Sequence, residues 1–185
     1  DPANFVRTNM EIDPARLADE VLYQIGALEA LAHRYGTEVR YVKPHGALYN
    51  TIVHHEAQAH AVIDGIHAFS ADIPVMLLPG GGAVDIAEKK GRRGIREACA
   101  DRNYNPDGTL GSRTLPNAVV PDPEFVAARV RQVAEDGSIT AFDGTVLKVD
   151  AESVCVHGDS PDSVALAQSI VKALGEDGIE IKSFL

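Results

Sequence analysis

Pro74-Val-Met-Leu-Leu78, Pro79-Gly-Gly-Gly82 and Ala83-Val-Asp-Ile-Ala-Glu-Lys-Lys90 follow one another without interruption, and Gly91 closes the series. The first piece is an apolar run of the length of a buried strand. The second is a glycine loop, and the third is a short helix that Gly91 terminates. Strand, loop and helix in this order make a β-loop-α unit, the building block of sheets whose strands run parallel.

Upstream, Leu17, Val21, Leu22, Ile25, Leu28, Leu31 and Ala32 recur at helical spacing. Asp13 stands as N-cap, Pro14 at the first helical position and Gly36 as terminator, so a helix is expected from 13 to 35. Glu38 to Lys43 alternates like a strand until Pro44 forbids further ladder pairing and Gly46 permits a turn. A second helix is expected from about Thr51 to Phe69, its apolar positions spread widely enough to pack on more than one side. Downstream, Gly94 to Ala100 reads as a strand, and residues 103 to 123 are rich in Gly, Pro and Asn and read as a long working loop. Asp122 caps a helix through Glu135, and Ile139–Phe142 and Thr145–Val149 flank an Asp143-Gly144 hairpin turn. Ser153 to His157 reads as a buried strand, Ser160-Pro161 as the cap of a helix to Leu174, and Gly178 to Phe184 as a closing strand. Strands thus alternate with helices, which predicts one α/β domain over 1–185 with a mostly parallel sheet, open or curled into a barrel.

With 185 residues, 45% of them hydrophobic, the chain can bury an ordinary core. Its longest apolar runs stay far below the ~18 residues that cross a bilayer, so no membrane association is expected. A net charge of −10 disfavours a phosphate backbone, and nucleic acid is excluded as a partner. Cys99 and Cys155 each sit in an apolar strand. Two buried thiols outside any disulfide fit a reducing compartment, and the cytoplasm is the expected location.

In parallel sheets the ligand site gathers where strands end at their carboxyl side. Lys43, His45 and Asn50 follow one such strand, Gly80 and Gly81 the next, Asp101, Arg102 and Tyr104 the third, and His157 and Asp159 another. These residues are expected around one cavity. Lys-Pro-His-Gly sets a cation and an imidazole on a stiffened backbone, which suits catalysis; alone, His157-Gly-Asp159 reads equally well as a helix lead-in. Asp101-Arg102 reads as a structural ion pair unless one of the two faces the site. The Gly80–Gly82 loop, at a helix start, suits an anion but matches neither the dinucleotide nor the P-loop pattern. His54, His55 and His60 lie at spacings that do not align on a helix, so no metal site is expected.

Four blocks then become recognisable: Tyr23-Gln-Ile-Gly-Ala-Leu28; Val42-Lys-Pro-His-Gly-Ala-Leu-Tyr-Asn50; Ala100-Asp-Arg-Asn-Tyr104 with Gly108-Thr-Leu110 and Ser112-Arg113; and Cys155-Val-His-Gly-Asp159. In order and separation they resemble the signature blocks of the LamB/YcsF family. That resemblance implies a distorted (β/α) barrel of the sugar-deacetylase-like type. It also implies a role in an ATP-dependent 5-oxoprolinase that opens 5-oxoproline to L-glutamate, with subunits B and C as partners and ATP used through the complex. Lys43 and His45 would orient or protonate the lactam, His157 and Asp159 would act as acid and base, and Arg102 or the Gly80 loop would hold the substrate carboxylate. The family's amino-terminal blocks have no counterpart here, Phe5-Val6-Arg7-Thr8 standing where one usually reads Phe-Gly-Arg-Arg. On that reading the barrel is incomplete at its N-terminus, and this chain alone is expected to be inactive. Cys99 also replaces the family's usual aromatic. Two rival readings stay open: a non-catalytic scaffold that binds partner subunits, and a metal-dependent hydrolase of another amide. Self-association is left open too.

Overall fold

A computed structural model describes residues 7–113, 115–116, 118–159 and 162–185. The chain divides into two compact units, Asp1–Ile95 and Arg96–Leu185.

The first unit opens with α1 (Pro14–Arg34), capped by the Asp13 carboxylate, which accepts from the Arg16 N–H at 3.1 Å. Gly36, at φ +72°, ends it in the left-handed conformation that other residues adopt at a cost. Next come α2 (Gly46–Thr51), α3 (Glu56–Phe69), β1 (Val75–Leu77), α4 (Gly82–Lys89) and the start of β2 (Gly94–Cys99). Helix α1 packs on α3 through Gly65, where a Cβ would stand 2.4 Å from the Ala18 carbonyl oxygen. The core beneath them joins Leu17, Ile25, Ile63, Ile66, Val75 and Leu77. A buried guanidinium, Arg92, ties the chain before β1 to this core by donating to the carbonyls of Ser70, at 2.8 Å, and Ile73.

Two expectations change here. The segment from Glu38 to Lys43 is extended but forms only one parallel bridge, Val42 to Val75, because the Val39 N–H is donated to Glu29 Oε2 at 2.7 Å instead of to a ladder. The helix expected from about Thr51 to Phe69 begins only at Glu56, as α3, and the short α2 precedes it. Ile52 and Val53 turn inward between them, and the His55 ring caps α3 by accepting from the Gln58 N–H at 3.3 Å.

The second unit holds the rest of β2, α5 (Pro123–Asp136), the antiparallel pair β3 (Ser138–Thr140) and β4 (Val146–Lys148), β5 (Ser153–Cys155) and α6 (Ser163–Glu176). Asp122 caps α5 by accepting from Glu124 and Phe125 N–H. Helices α5 and α6 share a core of Val126, Val130, Leu166, Ile170 and Leu174. β2 and β5 run parallel, with Glu97, Ala98 and Cys99 opposite Ser153, Val154 and Cys155. The long polar segment is pinned by bridges Arg102–Val119 and Tyr104–Leu110 and by an Asn105–Gly108 turn.

β5 is shorter and more exposed than the pattern suggests, so Cys155 is half-buried rather than buried. The closing strand from Gly178 to Phe184 does not form. Ile179 packs against the α5/α6 core and its N–H bonds to the Leu174 carbonyl at 2.8 Å, while Ile181 stays exposed, so alternation supplies too little buried surface to hold a strand. Asp162 stands as the N-cap residue of α6. The expected Ser160-Pro161 cap lies outside the described residues, as do Phe5 and Val6.

Candidate functional site

In the first unit the Val42–Val75 bridge makes two chain segments run side by side, so residues 43–45 and 79–81 leave them at the same edge. Lys43 Nζ lies 5.5 Å from the centroid of the buried Tyr49 ring, a cation–π distance that holds the ammonium near α2. His45 is the N-cap residue of α2 in extended geometry and gives no side-chain cap bond. Gly46 follows at φ +63°, and Asn50 sits half-buried on the same short helix. Lys43, His45 and Asn50 thus all belong to α2 or the segment that leads into it.

Gly80 and Gly81 serve a different need. Gly80 turns at φ +83°, and a Cβ on Gly81 would stand 2.6 Å from Val53 Cγ1 and 2.8 Å from Val53 Cα. The Gly82 N–H, an amide that a phosphate cradle would use, is donated to the Val53 carbonyl at 3.1 Å. The Gly82 amide of this loop is thus already taken up by Val53.

The second unit builds its site from the parallel register. Cys99 faces Cys155 where β2 and β5 end, and Asp101 and His157 each follow two residues past those ends. An equal offset on parallel strands sets these two side chains next to each other. Asp101 Oδ2 accepts from the His157 N–H at 2.9 Å, and Oδ1 lies 2.7 Å from His157 Nδ1. The carboxylate is 1% exposed and the imidazole 26%. Burial by itself would raise the Asp101 carboxyl, but the bonds and charge of His157 outweigh it and hold the group below its usual value. The imidazole partner is therefore Asp101, not Asp159. Asp159 instead meets Arg113 at 2.9 Å.

The turn that carries Asp101 is braced from several sides. Arg129, buried on α5, donates to the carbonyls of Ala100 at 3.1 Å and Arg102 at 2.6 Å, and stacks 4.8 Å from the Phe125 ring. The Cys99 N–H is donated to the Tyr104 hydroxyl at 2.7 Å, and burial pushes that phenol well above its ordinary value. The hydrogen bonds of Arg102 go to backbone carbonyls rather than to the Asp101 carboxylate. Its guanidinium bonds the Ala118 carbonyl at 3.3 Å and the Gly111 carbonyl, and burial lowers its pKa. Arg129 went unread in the sequence although a signal existed: one arginine inside the apolar run Val126-Ala-Ala-Arg-Val130 has to find buried acceptors.

A groove of about 560 Å³ opens beside this pair, lined by Val156, His157 and Gly158 and by Val164, Val171 and Lys172 of α6. The histidine trio does not gather. His55 caps α3, and His60 lies 3.8 Å from Glu56. Among the described residues, the group with the spacing of metal ligands is Cys99, Cys155 and His157.

A family model described as LamB/YcsF family matches residues 1–185. The chain belongs to the LamB/YcsF family. It is 63% identical over 185 residues to the A subunit of 5-oxoprolinase from Corynebacterium jeikeium (strain K411), covering 100% of this chain and 72% of that protein. It is also 53% identical to the A subunit of 5-oxoprolinase from Kocuria rhizophila, again over the whole of this chain and 73% of the relative. Among solved structures it resembles the lactam utilization protein from Thermus thermophilus, with a TM-score of 0.89 at 34% identity over 100% of this chain and 73% of that one. The α/β fold with parallel strand pairing is thus the LamB/YcsF fold. No helix among the described residues is long and apolar enough to cross a membrane.

Proposed function

We propose that this chain is the A subunit of a 5-oxoprolinase, a hydrolase that opens the cyclic amide of 5-oxoproline to L-glutamate together with partner subunits B and C. The relatives carrying that name at 63% and 53% identity support the reaction. The observation that carries the chemistry is the Asp101–His157 pair. A buried carboxylate at 2.7 Å from Nδ1 favours the tautomer with the proton on that nitrogen, which leaves a lone pair on Nε2. Such an imidazole takes a proton from water as it adds to the lactam carbonyl and returns one to the departing ring nitrogen. The carboxylate stabilises the imidazolium formed in between.

Arg102 has its donors turned to Gly111 and Ala118, so in this proposal the substrate carboxylate is met by the more exposed Arg113, which Asp159 steadies. Lys43 and His45 are proposed as further functional groups of the first unit. ATP is assigned to the partner subunits, since the glycine loop here is closed on Val53.

The test is 5-oxoproline-dependent glutamate release by the partner subunits combined with an A subunit that carries this chain together with the family's amino-terminal blocks. His157→Gln should lower turnover by about 10²–10⁴-fold, the scale of a positioned acid–base group. Lys43→Ala and His45→Ala should each lower it by about 10²-fold. Unchanged turnover in His157→Gln would overturn the acid–base assignment, and an active complex that releases no glutamate from 5-oxoproline would overturn the substrate.

A further inference from the structure

We propose that Cys99, Cys155 and His157 form a binding site for a thiophilic divalent cation, zinc being the natural type, with Asp101 orienting the imidazole from behind. One ligand atom from each of the three lies within 4.8 Å of the others. Tetrahedral zinc with sulfur and nitrogen ligands needs separations of about 3.3–3.8 Å, which follow from bond lengths of about 2.3 and 2.0 Å. The remaining contraction is the size of a small side-chain rotation.

The backbone already supplies the alignment. Cys99 and Cys155 are register partners on adjacent parallel strands, so their side chains leave the sheet on one face, and His157 stands two residues beyond Cys155 on that same face. Two cysteines in register are also candidates for a disulfide, but neither forms one here.

A second, independent observation points to a ligand. Metal-binding imidazoles characteristically give their other ring N–H to a carboxylate, which fixes the tautomer and raises the basicity of the ligating nitrogen. The 2.7 Å approach of His157 Nδ1 to the buried Asp101 has that form. Charge balance agrees: two thiolates neutralise a divalent cation, and a neutral imidazole adds no charge to a partly buried site. Cys99 is buried while Cys155 and His157 are half-buried, so the site is reached from the side of these two residues. Three protein ligands leave a fourth position for water or another small ligand. A loaded site would engage the imidazole lone pair that the lactam-opening proposal uses as a base. Zinc binding is read without any turnover, however, so failure of either proposal leaves the other standing.

The test is zinc titration of the reduced, chelator-treated full chain, by competition with a chromophoric chelator, followed by cobalt(II) absorption. Wild-type protein should bind one equivalent of zinc, and its cobalt form should show thiolate-to-metal charge transfer with tetrahedral d–d bands. Cys99→Ala and Cys155→Ser should each weaken zinc binding by at least about 100-fold, the upper part of the range for loss of a ligand-supporting group. Should Cys99→Ala fail to fold, Cys155→Ser at the half-exposed position carries the test, with the urea midpoint as its folding control. Absence of stoichiometric binding, or binding of unchanged strength in the folded variants, would overturn the proposal. So would a 2 Da mass loss in the native protein under zinc, marking a disulfide in place of a metal site.

Discussion

Replacing Asp101 separates two effects that the structure joins. The carboxylate is 1% exposed and accepts two hydrogen bonds, from the His157 N–H at 2.9 Å and from the ring at Nδ1 at 2.7 Å. In Asp101→Ala both donors lose their acceptor inside the protein, and at about 1.5–2.5 kcal/mol for each hydrogen bond to a charged group the loss is about 3–5 kcal/mol. Asp101→Asn behaves differently. Its carbonyl oxygen accepts from the backbone N–H while its amide donates to Nδ1, provided the ring proton moves to Nε2. Two charge-assisted bonds become two neutral ones, a loss of about 1 kcal/mol each, or about 2 kcal/mol together. For a chain of this size 1 kcal/mol moves Tm by about 2–4 °C, so Asn should lower Tm by about 4–8 °C and Ala by about 6–20 °C. Thermal and urea melts at pH 7 measure this, and nitrogen NMR of His157 reads the tautomer switch. The pH dependence has a definite sign. The folded carboxyl titrates below its ordinary value, so its contribution is complete above the unfolded-state value of about 3.9 and disappears as pH falls from there through the folded value. The gap between wild type and Asp101→Ala should therefore narrow as pH falls below about 4. An Ala variant within about 0.5 kcal/mol of wild type at pH 7, well below that range, would refute the reasoning.

Three further outcomes follow from packing. Gly65→Ala should lower stability by about 1–3 kcal/mol, because the new methyl meets the Ala18 backbone oxygen and α1 has to move; a urea midpoint equal to wild type would show that the helices separate freely. Arg129→Met should cost about 2–4 kcal/mol in the same assay, as the buried carbonyls of Ala100 and Arg102 lose their donors, and a neutral result would mean that those carbonyls find other partners. Native thiol labelling should modify half-buried Cys155 well before buried Cys99, which should react fully only after denaturation; the reverse order would contradict the burial seen here.

The helices and buried strands were legible because their signals are local and concordant. Asp13, Pro14 and Gly36 bound α1 where the chain itself ends it, and Asp122 and Gly137 do the same for α5, Gly137 taking φ +61°. The errors fall where the outcome depends on a distant partner. Residues 38–43 alternate like a strand, yet Val39 bonds Glu29, ten residues away, and only Val42 bridges Val75. Residues 178–184 alternate as well but find no ladder among the described residues. Alternation states which face a strand would bury. It does not supply the neighbour that makes it a strand.

The site shows the same division at the level of side chains. Asp101 and His157 could each be placed at a strand end, but their pairing depends on which strands are neighbours and in what register, and adjacent letters misled. Arg102 follows Asp101 in the chain, and Asp159 follows His157 by two, so each invited a local partnership. In the turn past β2, however, Arg102 gives its guanidinium to the carbonyls of Gly111 and Ala118 while Asp101 reaches across to His157, past the end of β5. Once Cys99 is known to stand opposite Cys155, the contact two residues on requires no further assumption. The same register that makes an acid–base pair of Asp101 and His157 also sets two thiols beside the imidazole. The arrangements behind both proposals are consequences of a single strand alignment, and a one-residue slip of β5 against β2 would abolish both.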